Sequence, residues 1–436
     1  METEEKLNYL HTEFPVVAKE ALLELLVAFE GSVDQTVKVL EEQFDRKASG
    51  TFKTGANVKK RSRPEPVVPE HKDIPGVLSS LIEKVPEAKK QRVSVNQSTF
   101  NVPKTITRDS VILYNKQEIE SIPYLKFYKN FLPGTLADEL LDELLAKKVV
   151  FRDKHFFIAQ NECHSNHQST VFYEKPPVVV YDSGFYNNGE EMEQPFTGNI
   201  RTAKFLIEDE VNEVLATRER HPLEIQSDWS ASLCVGNYFH SNKNNIDWHS
   251  DRLTSIGPLP IICSLNLGAT RIFRLRKQYG KPITYSIPLP HNSLLIMLPG
   301  TQEEFKHCVP SLTDSLHATH PVAKEARINL TLRMQRLNMQ RNLPKCPLCK
   351  SSMTLRRMFK KPQLRGYYFW LCSGGYRTGK ECSGFYFANL RDIDKPKSKL
   401  YTRKVSEASR WLAPDDDEAR NAGEFKMEDL EDSAVQ

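Results

Sequence analysis

Apolar residues at Leu22, Leu23, Leu26, Val27 and Phe29, then at Val33, Val37 and Leu40, recur at helical spacing. Gly31-Ser32 interrupts the two runs, and Asp34 stands where it can cap the second. This predicts a small helical unit over 5–45. From 46 to 117 the periodicity gives way to Lys, Pro, Ser and Gly, which predicts a flexible linker with one short apolar patch at 77–82. A compact domain is expected over 118–340. It opens on an apolar entry at 122–131 and Pro133-Gly134, then an amphipathic helix with Thr135 as N-cap and Asp138 at the capping-box position. Short β-rich segments follow at 178–181, 231–239, 261–267, 271–275, 293–298 and 327–334. Short strands without an alternating helix rhythm predict a sandwich or jelly roll, so the fold class is α+β.

Composition adds less than distribution does. The chain has 436 residues, enough for two or three domains, with 39% hydrophobic and 27% charged residues and a formal net charge of +4. A basic cluster, Lys59-Lys60-Arg61-Ser62-Arg63, is a candidate nuclear address or a solvated linker run. The segment 405–436 is acidic, including Asp415-Asp416-Asp417-Glu418, and is expected to be solvated and disordered. No segment nears the roughly 20 apolar residues of a membrane span, so no membrane partner is expected. Met1-Glu2-Thr3-Glu4-Glu5 lacks the features of a secretory signal, which predicts a reducing compartment, nucleus or cytoplasm. Four of the eight cysteines crowd into 346–382, a pattern of metal binding rather than of a disulfide framework.

The chemistry concentrates between residues 237 and 333. His249-Ser250-Asp251 and the later His307 supply two imidazoles and one carboxylate, the facial set that leaves three positions open on non-haem Fe(II). In an extended segment His249 and Asp251 point to one side. The third ligand must then come from another strand, which a double-stranded β-helix supplies. His307 follows the apolar run 294–298 and Pro299-Gly300, a strand–loop–strand context. Downstream, Arg327-Ile328-Asn329-Leu330-Thr331-Leu332-Arg333 sets two guanidinium groups on one strand face, suited to a dicarboxylate. His317 and His320 compete for the third ligand position but read better as loop histidines. Cys263 and Cys308 read as small apolar core residues.

These motifs resemble the AlkB family of nucleic-acid dealkylases. The carriers are Asp247-Trp248-His249-Ser250-Asp251, Ser264-Leu265-Asn266-Leu267-Gly268-Ala269-Thr270-Arg271, Ser293-Leu294-Leu295-Ile296-Met297, Gln302-Glu303-Glu304-Phe305-Lys306-His307-Cys308-Val309-Pro310 and the closing arginine strand. The resemblance implies Fe(II) on His249, Asp251 and His307, and 2-oxoglutarate held by Arg327 and Arg333 with Asn329 and Asn237. The implied reaction consumes O2, yields succinate and CO2, and hydroxylates an N-alkyl carbon so that an aldehyde leaves the base. Its implied substrate is alkylated DNA or RNA, single-stranded or with the base flipped out. Two positions depart from the family. Phe239 stands where a cosubstrate-binding tyrosine is usual, with Tyr238 adjacent, and Leu253 stands where repair members carry an acidic residue near the base. Phe172, Tyr173, Tyr181 and Tyr186 are candidate partners for a flipped base or ordinary packing aromatics.

Cys346, Cys349, Cys372 and Cys382 form a four-thiolate set suited to Zn(II). With 365–372 and 385–387 they resemble a GRF zinc finger over 344–392, whose aromatics and Arg356, Arg357, Lys360, Lys361 and Arg365 would suit single-stranded nucleic acid. Leu10, Phe14-Pro15 and Leu40 resemble a CUE-type ubiquitin-binding domain, with Glu13 and Glu41 replacing two of its apolar contacts. The expected activity is oxidative repair of N-alkylated bases. Its rivals are a regulatory RNA demethylase and a ubiquitin- and nucleic-acid-binding scaffold with an idle oxygenase core.

Overall fold

The computed structural model describes residues 3–14, 22, 26, 32–34, 36–37, 110–158, 161–174, 193–281, 283–312, 319–372 and 382–423. Most of the predicted ubiquitin-type unit, its Pro15 and Leu40 included, therefore lies outside the described residues, as do 178–181, Tyr181, Tyr186 and His317. The N-terminal helix Thr3–Glu13 is described and buries Leu10.

The strands, in chain order, are β1 (Ser110–Ile112), β2 (Leu125–Tyr128), β3 (Arg152–Ile158), β4 (Asn161–Tyr173), β5 (Glu193–Pro195), β6 (Leu233–Phe239), β7 (Ile246–His249), β8 (Ile262–Gly268), β9 (Arg271–Lys277), β10 (Thr284–Leu289), β11 (Ser293–Met297), β12 (Phe305–Val309), β13 (Arg327–Arg333), β14 (Met353–Arg357), β15 (Tyr368–Cys372), β16 (Phe385–Ala388) and β17 (Tyr401–Thr402). An eight-stranded sheet runs β2-β11-β8-β13-β6-β4-β3, with β5 on β4, and a five-stranded sheet runs β1-β10-β9-β12-β7. They face each other as the expected jelly roll.

Two-sided burial explains the unbroken apolar runs. In β11, Leu294 and Ile296 pack toward the helices Gly134–Ala146 and Gly198–Ala216, while Leu295 and Met297 enter the space between the sheets. Strand β13 divides its faces by chemistry instead. Ile328, Leu330 and Leu332 join the helix-side core, at about 1.5–3 kcal/mol each. Its polar residues are left for the sandwich interior.

Several expectations are corrected. The helix after Pro133 starts at Gly134 with Pro133 at its N-cap, so Thr135 lies inside it, and Asp138 faces His291 instead of capping. The 19-residue helix Gly198–Ala216 was not anticipated. Lys204 and Glu208 fall on its buried stripe and break the apolar period, and they satisfy each other at 2.9 Å. Residues 110–117 are not linker, because β1 pairs in parallel with β10 and Asn115 caps the next helix through a capping box. Nor are 405–423 a disordered tail. Asp416 is buried against the Arg365 guanidinium at 2.8 Å, Asp415 meets Lys277 at 3.0 Å, and Trp411 packs under Arg357. Charge patterning reads an acidic run as solvated and cannot see cations that the fold supplies.

Candidate metal centre

The last residue of β7, His249, lies directly across the antiparallel ladder from His307 on β12, their ring centroids 4.2 Å apart. Asp251 follows two residues beyond the strand end. Its backbone N–H donates to Gln302 Oε1 at 2.9 Å, which turns the carboxylate back toward the imidazoles. Asp251 Oδ1 is 3.8 Å from His249 Nε2 and 3.9 Å from His307 Nε2. The three donor atoms all lie within 4.8 Å of one another, close enough to share one ion.

Protonation is set for metal binding as well. His249 Nδ1 donates to the Asp247 carbonyl at 2.7 Å, which leaves the Nε2 lone pair bare. Burial, then the neighbouring His249, lowers His307 to about 3, so it is neutral at working pH. Burial pushes the Asp251 carboxyl up, but Arg333, His307 and His249 outweigh it and hold the group well below the usual carboxylate range. Two imidazoles and one ionised carboxylate are the donor set that non-haem Fe(II) takes.

Beside this triad the interior face of β13 presents Arg327, Asn329, Thr331 and Arg333. Arg327 is 1% exposed and donates through Nη2 to Asn266 Oδ1, yet its Nε and Nη1 have no protein partner. Burial, then the charge of Arg271, lowers this guanidinium to about 9. An uncompensated buried cation is costly, and a carboxylate is the ligand that removes the cost. This face of β13 therefore fits one end of 2-oxoglutarate. Asn329 is fixed by Ser264 Oγ at 2.8 Å and Thr331 Oγ1 at 2.7 Å, and Asn237 donates to it at 3.4 Å.

The structure brings together every predicted iron and cosubstrate residue. Arg333 Nε donates to Asp251 Oδ2 at 2.6 Å, so it orients the iron carboxylate. The guanidinium carbons of Arg271 and Arg327 lie 5.2 Å and 4.9 Å from the centroid of the Phe239 ring. Tyr238 points to the opposite face and packs on Phe151, so it does not replace the missing hydroxyl. Leu253 is buried in one cluster with the cysteine module. Phe172 is a core residue, not a base platform.

Sequence reasoning gave no role to Gln302 or Arg271. Arg271 is fully buried and donates to the carbonyls of Ser241, Asn244 and Pro310, which fixes the loop leading into β7. Ser169, whose buried hydroxyl has no partner, was also missed; it lies directly across the ladder from Asn237. Gln302 and Arg271 stood inside quoted motifs, but nothing in spacing announces a clamp on backbone atoms.

His320 is remote from the triad in role. It clusters with His291 and Asp138. Both Nδ1 atoms accept backbone N–H bonds, from Gly268 for His291 and from Val322 and Ala323 for His320. Each ring proton is thereby left on Nε2, which removes that atom as a metal donor. Burial lowers both imidazoles, with the His320 charge adding to the effect on His291. The folded state thus binds fewer protons than the unfolded state below the ordinary value of about 6.5. Thermal stability is expected to fall as pH drops through about 6.5 toward 5, and a His291→Asn/His320→Asn variant should flatten that slope in melts. An unchanged slope would refute the assignment.

The four predicted cysteines also converge. Cys349 and Cys372 sulfurs are 3.3 Å apart and Cys346 and Cys382 3.6 Å, near the ~3.8 Å edge of a tetrahedron with ~2.3 Å Zn–S bonds. Gly384 passes so close to Cys346 Sγ that any Cβ there would collide with it. Arg365 is corrected: it is buried between Asp416 and Glu418, unavailable to phosphates. Tyr368 and Trp370 are core residues.

Residues 124–333 match the family model described as the 2OG-Fe(II) oxygenase superfamily. Over these residues the chain is similar to 2OG-Fe(II) oxygenase domains. Its relatives include the alpha-ketoglutarate-dependent dioxygenase alkB homolog 3 of Homo sapiens, 40% identical over 113 residues, 24% of this chain and 36% of that protein. The Bos taurus protein of the same name is 37% identical over 122 residues, 26% of this chain and 40% of its own length. The chain thus spans well under half the length of these curated relatives. A solved structure, "The structure of OsALKBH1", overlaps 49% of this chain and 98% of its own at TM-score 0.35 and 16% identity, too loose a likeness to bear on the oxygenase domain.

Proposed function

We propose that this chain is an Fe(II)- and 2-oxoglutarate-dependent dioxygenase that removes alkyl groups from nucleic-acid bases. The observation that carries the reading is the buried Arg327 guanidinium, with two nitrogens unpartnered, on the strand that also anchors the iron carboxylate through Arg333. When bound, the ferrous ion supplies O2 activation that couples decarboxylation of 2-oxoglutarate to hydroxylation of an N-alkyl carbon. The protein's part is placement. Arg333 and Gln302 hold Asp251 from two sides, and Asp247 fixes the His249 tautomer. Phe273 stacks on His307 at 5.4 Å and, with Leu275, keeps water from that flank.

The nucleic-acid substrate is supported by the alkB homolog names of the relatives and by the outer face of the cysteine module. There Phe369 and Phe385 are half-buried with centroids 5.5 Å apart, and exposed Arg356 lies across the ladder from Phe369. Rings of this kind stack bases while a cation tracks phosphate. Zinc on the four thiolates would hold this face in shape. Ubiquitin binding by 5–45 and nuclear entry through 59–63 are part of the same proposal and rest on sequence alone.

The test is formaldehyde release by the full chain from sequence-matched methylated single-stranded DNA and RNA. Release is expected only with Fe(II) and 2-oxoglutarate together, and the DNA-to-RNA ratio separates repair from regulatory RNA demethylation. Succinate without any aldehyde from either strand would remove the nucleic-acid reading, and no succinate at all would leave the idle-core scaffold.

A further inference from the structure

Both chain segments that carry the candidate iron ligands are bonded to the cysteine module. The short helix Leu253–Ile256 begins two residues after Asp251, and Thr254 Oγ1 accepts from the Leu355 backbone of β14 at 3.1 Å. Leu253 and Leu259 share one buried cluster with Leu355, Tyr368, Trp370, Cys346 and Cys372. The turn Thr301–Glu304 runs without a break into the strand of His307. Within that turn Glu303 is 1% exposed, and its carboxylate accepts from Leu259 N at 2.8 Å, Gly300 N at 3.3 Å and the Tyr368 hydroxyl at 3.1 Å. Arg357 Nη1 donates to the Glu303 carbonyl at 2.7 Å, and the adjacent Gln302 holds the Asp251 backbone.

We propose that the cysteine module is a structural wall of the iron site, and that the loading of its four thiolates sets the affinity of the facial triad through the Glu303–Tyr368–Arg357 junction. Glu303 and Tyr368 are positioning residues here: they touch neither iron nor cosubstrate. A buried carboxylate that receives hydrogen bonds from its own turn and from two other segments fixes all three relative to one another, because leaving any donor or acceptor unpaired is expensive. Metal on the thiolates would pin β14 and β15 at the far end of the same cluster. Without it, Tyr368 and Leu355 lose their fixed register, and the turn before His307 and the helix after Asp251 lose their shared support. The oxygenase would thus respond to zinc supply or to thiol oxidation at a distance from its own chemistry.

This inference rests on the iron-site reading, and the experiment separates the two. Mn(II) binding to the full chain in the presence of 2-oxoglutarate is followed by electron paramagnetic resonance, which needs no turnover. Zinc content is measured on the same samples. Glu303→Gln and Tyr368→Phe keep shape while removing an anion or a donor, and a third sample has its thiolate metal displaced by a mercurial reagent. Glu303→Gln is expected to weaken Mn(II) binding by about 10- to 100-fold, the effect of losing support behind a metal ligand, with zinc content unchanged. Tyr368→Phe and the stripped protein should weaken it in the same direction. Mn(II) affinity within about twofold of the original in a folded Glu303→Gln protein overturns the coupling, even if the stripped protein unfolds. Failure of the unsubstituted chain to bind Mn(II) at all overturns the oxygenase reading itself.

Discussion

Asp251→Ala is expected to abolish both iron retention and succinate formation, by more than about 100-fold, beyond the ten- to hundredfold effect of losing a mere support for a ligand. The carboxylate is the only anionic member of the triad and the centre of its hydrogen bonding. Arg333 donates to one oxygen while both imidazoles face the other. Removing it leaves two neutral nitrogens as donors and strips a partly buried guanidinium of its counter-ion, a further cost of about 1–3 kcal/mol in the folded protein. Asp251→Asn keeps shape and loses charge, so it should retain more stability than Ala while losing nearly as much iron. Iron content after gel filtration with succinate assayed in parallel decides the matter. Stoichiometric iron in Asp251→Ala would place the metal elsewhere.

The contrast between what was legible and what was not follows from how far each interaction reaches along the chain. The apolar run of β11 announces a two-sided sheet, and the alternation in β8 and β13 a polar interior face, because burial acts on single residues in order. The triad was legible for the same reason: His249, Asp251 and His307 are rare donors in a chemically demanding set. Pairings between distant polar groups leave no such trace. Lys204 and Glu208 hid a 19-residue helix because they satisfy each other inside its apolar stripe. Asp416 looked like part of a solvated acidic run until the fold set it on Arg365. The attachment of the cysteine module to the turn before His307 is of this kind too, since Glu303 and Tyr368 are 65 residues apart. The substitution at 253 becomes intelligible only in that light. A leucine there belongs to the core that joins the two units, so an acidic side chain would be buried against Met353 and Leu355.

Arg327 offers the sharpest separation between binding and folding. In the protein without cosubstrate its charge is buried, half-satisfied and close to a second buried cation, Arg271, and all of these oppose the folded state. Such a group persists where a ligand supplies the missing anion. Arg327→Met keeps length and packing against Phe239 while deleting the charge. The variant without ligand is therefore expected to melt at the same temperature as the original chain or above it. Its KM for 2-oxoglutarate should rise about 10- to 100-fold, corresponding to the ~1.5–3 kcal/mol of a charge-assisted bond, with kcat at saturation little changed, because the carboxylate end of the cosubstrate is held equally before and during reaction. Cosubstrate should stabilise the original chain against heat and leave the variant nearly unmoved. A variant that is both less stable and normal in KM would mean that Arg327 is a structural cation with an anionic partner supplied by the protein, and the dicarboxylate site would then have to be sought on another face of the jelly roll.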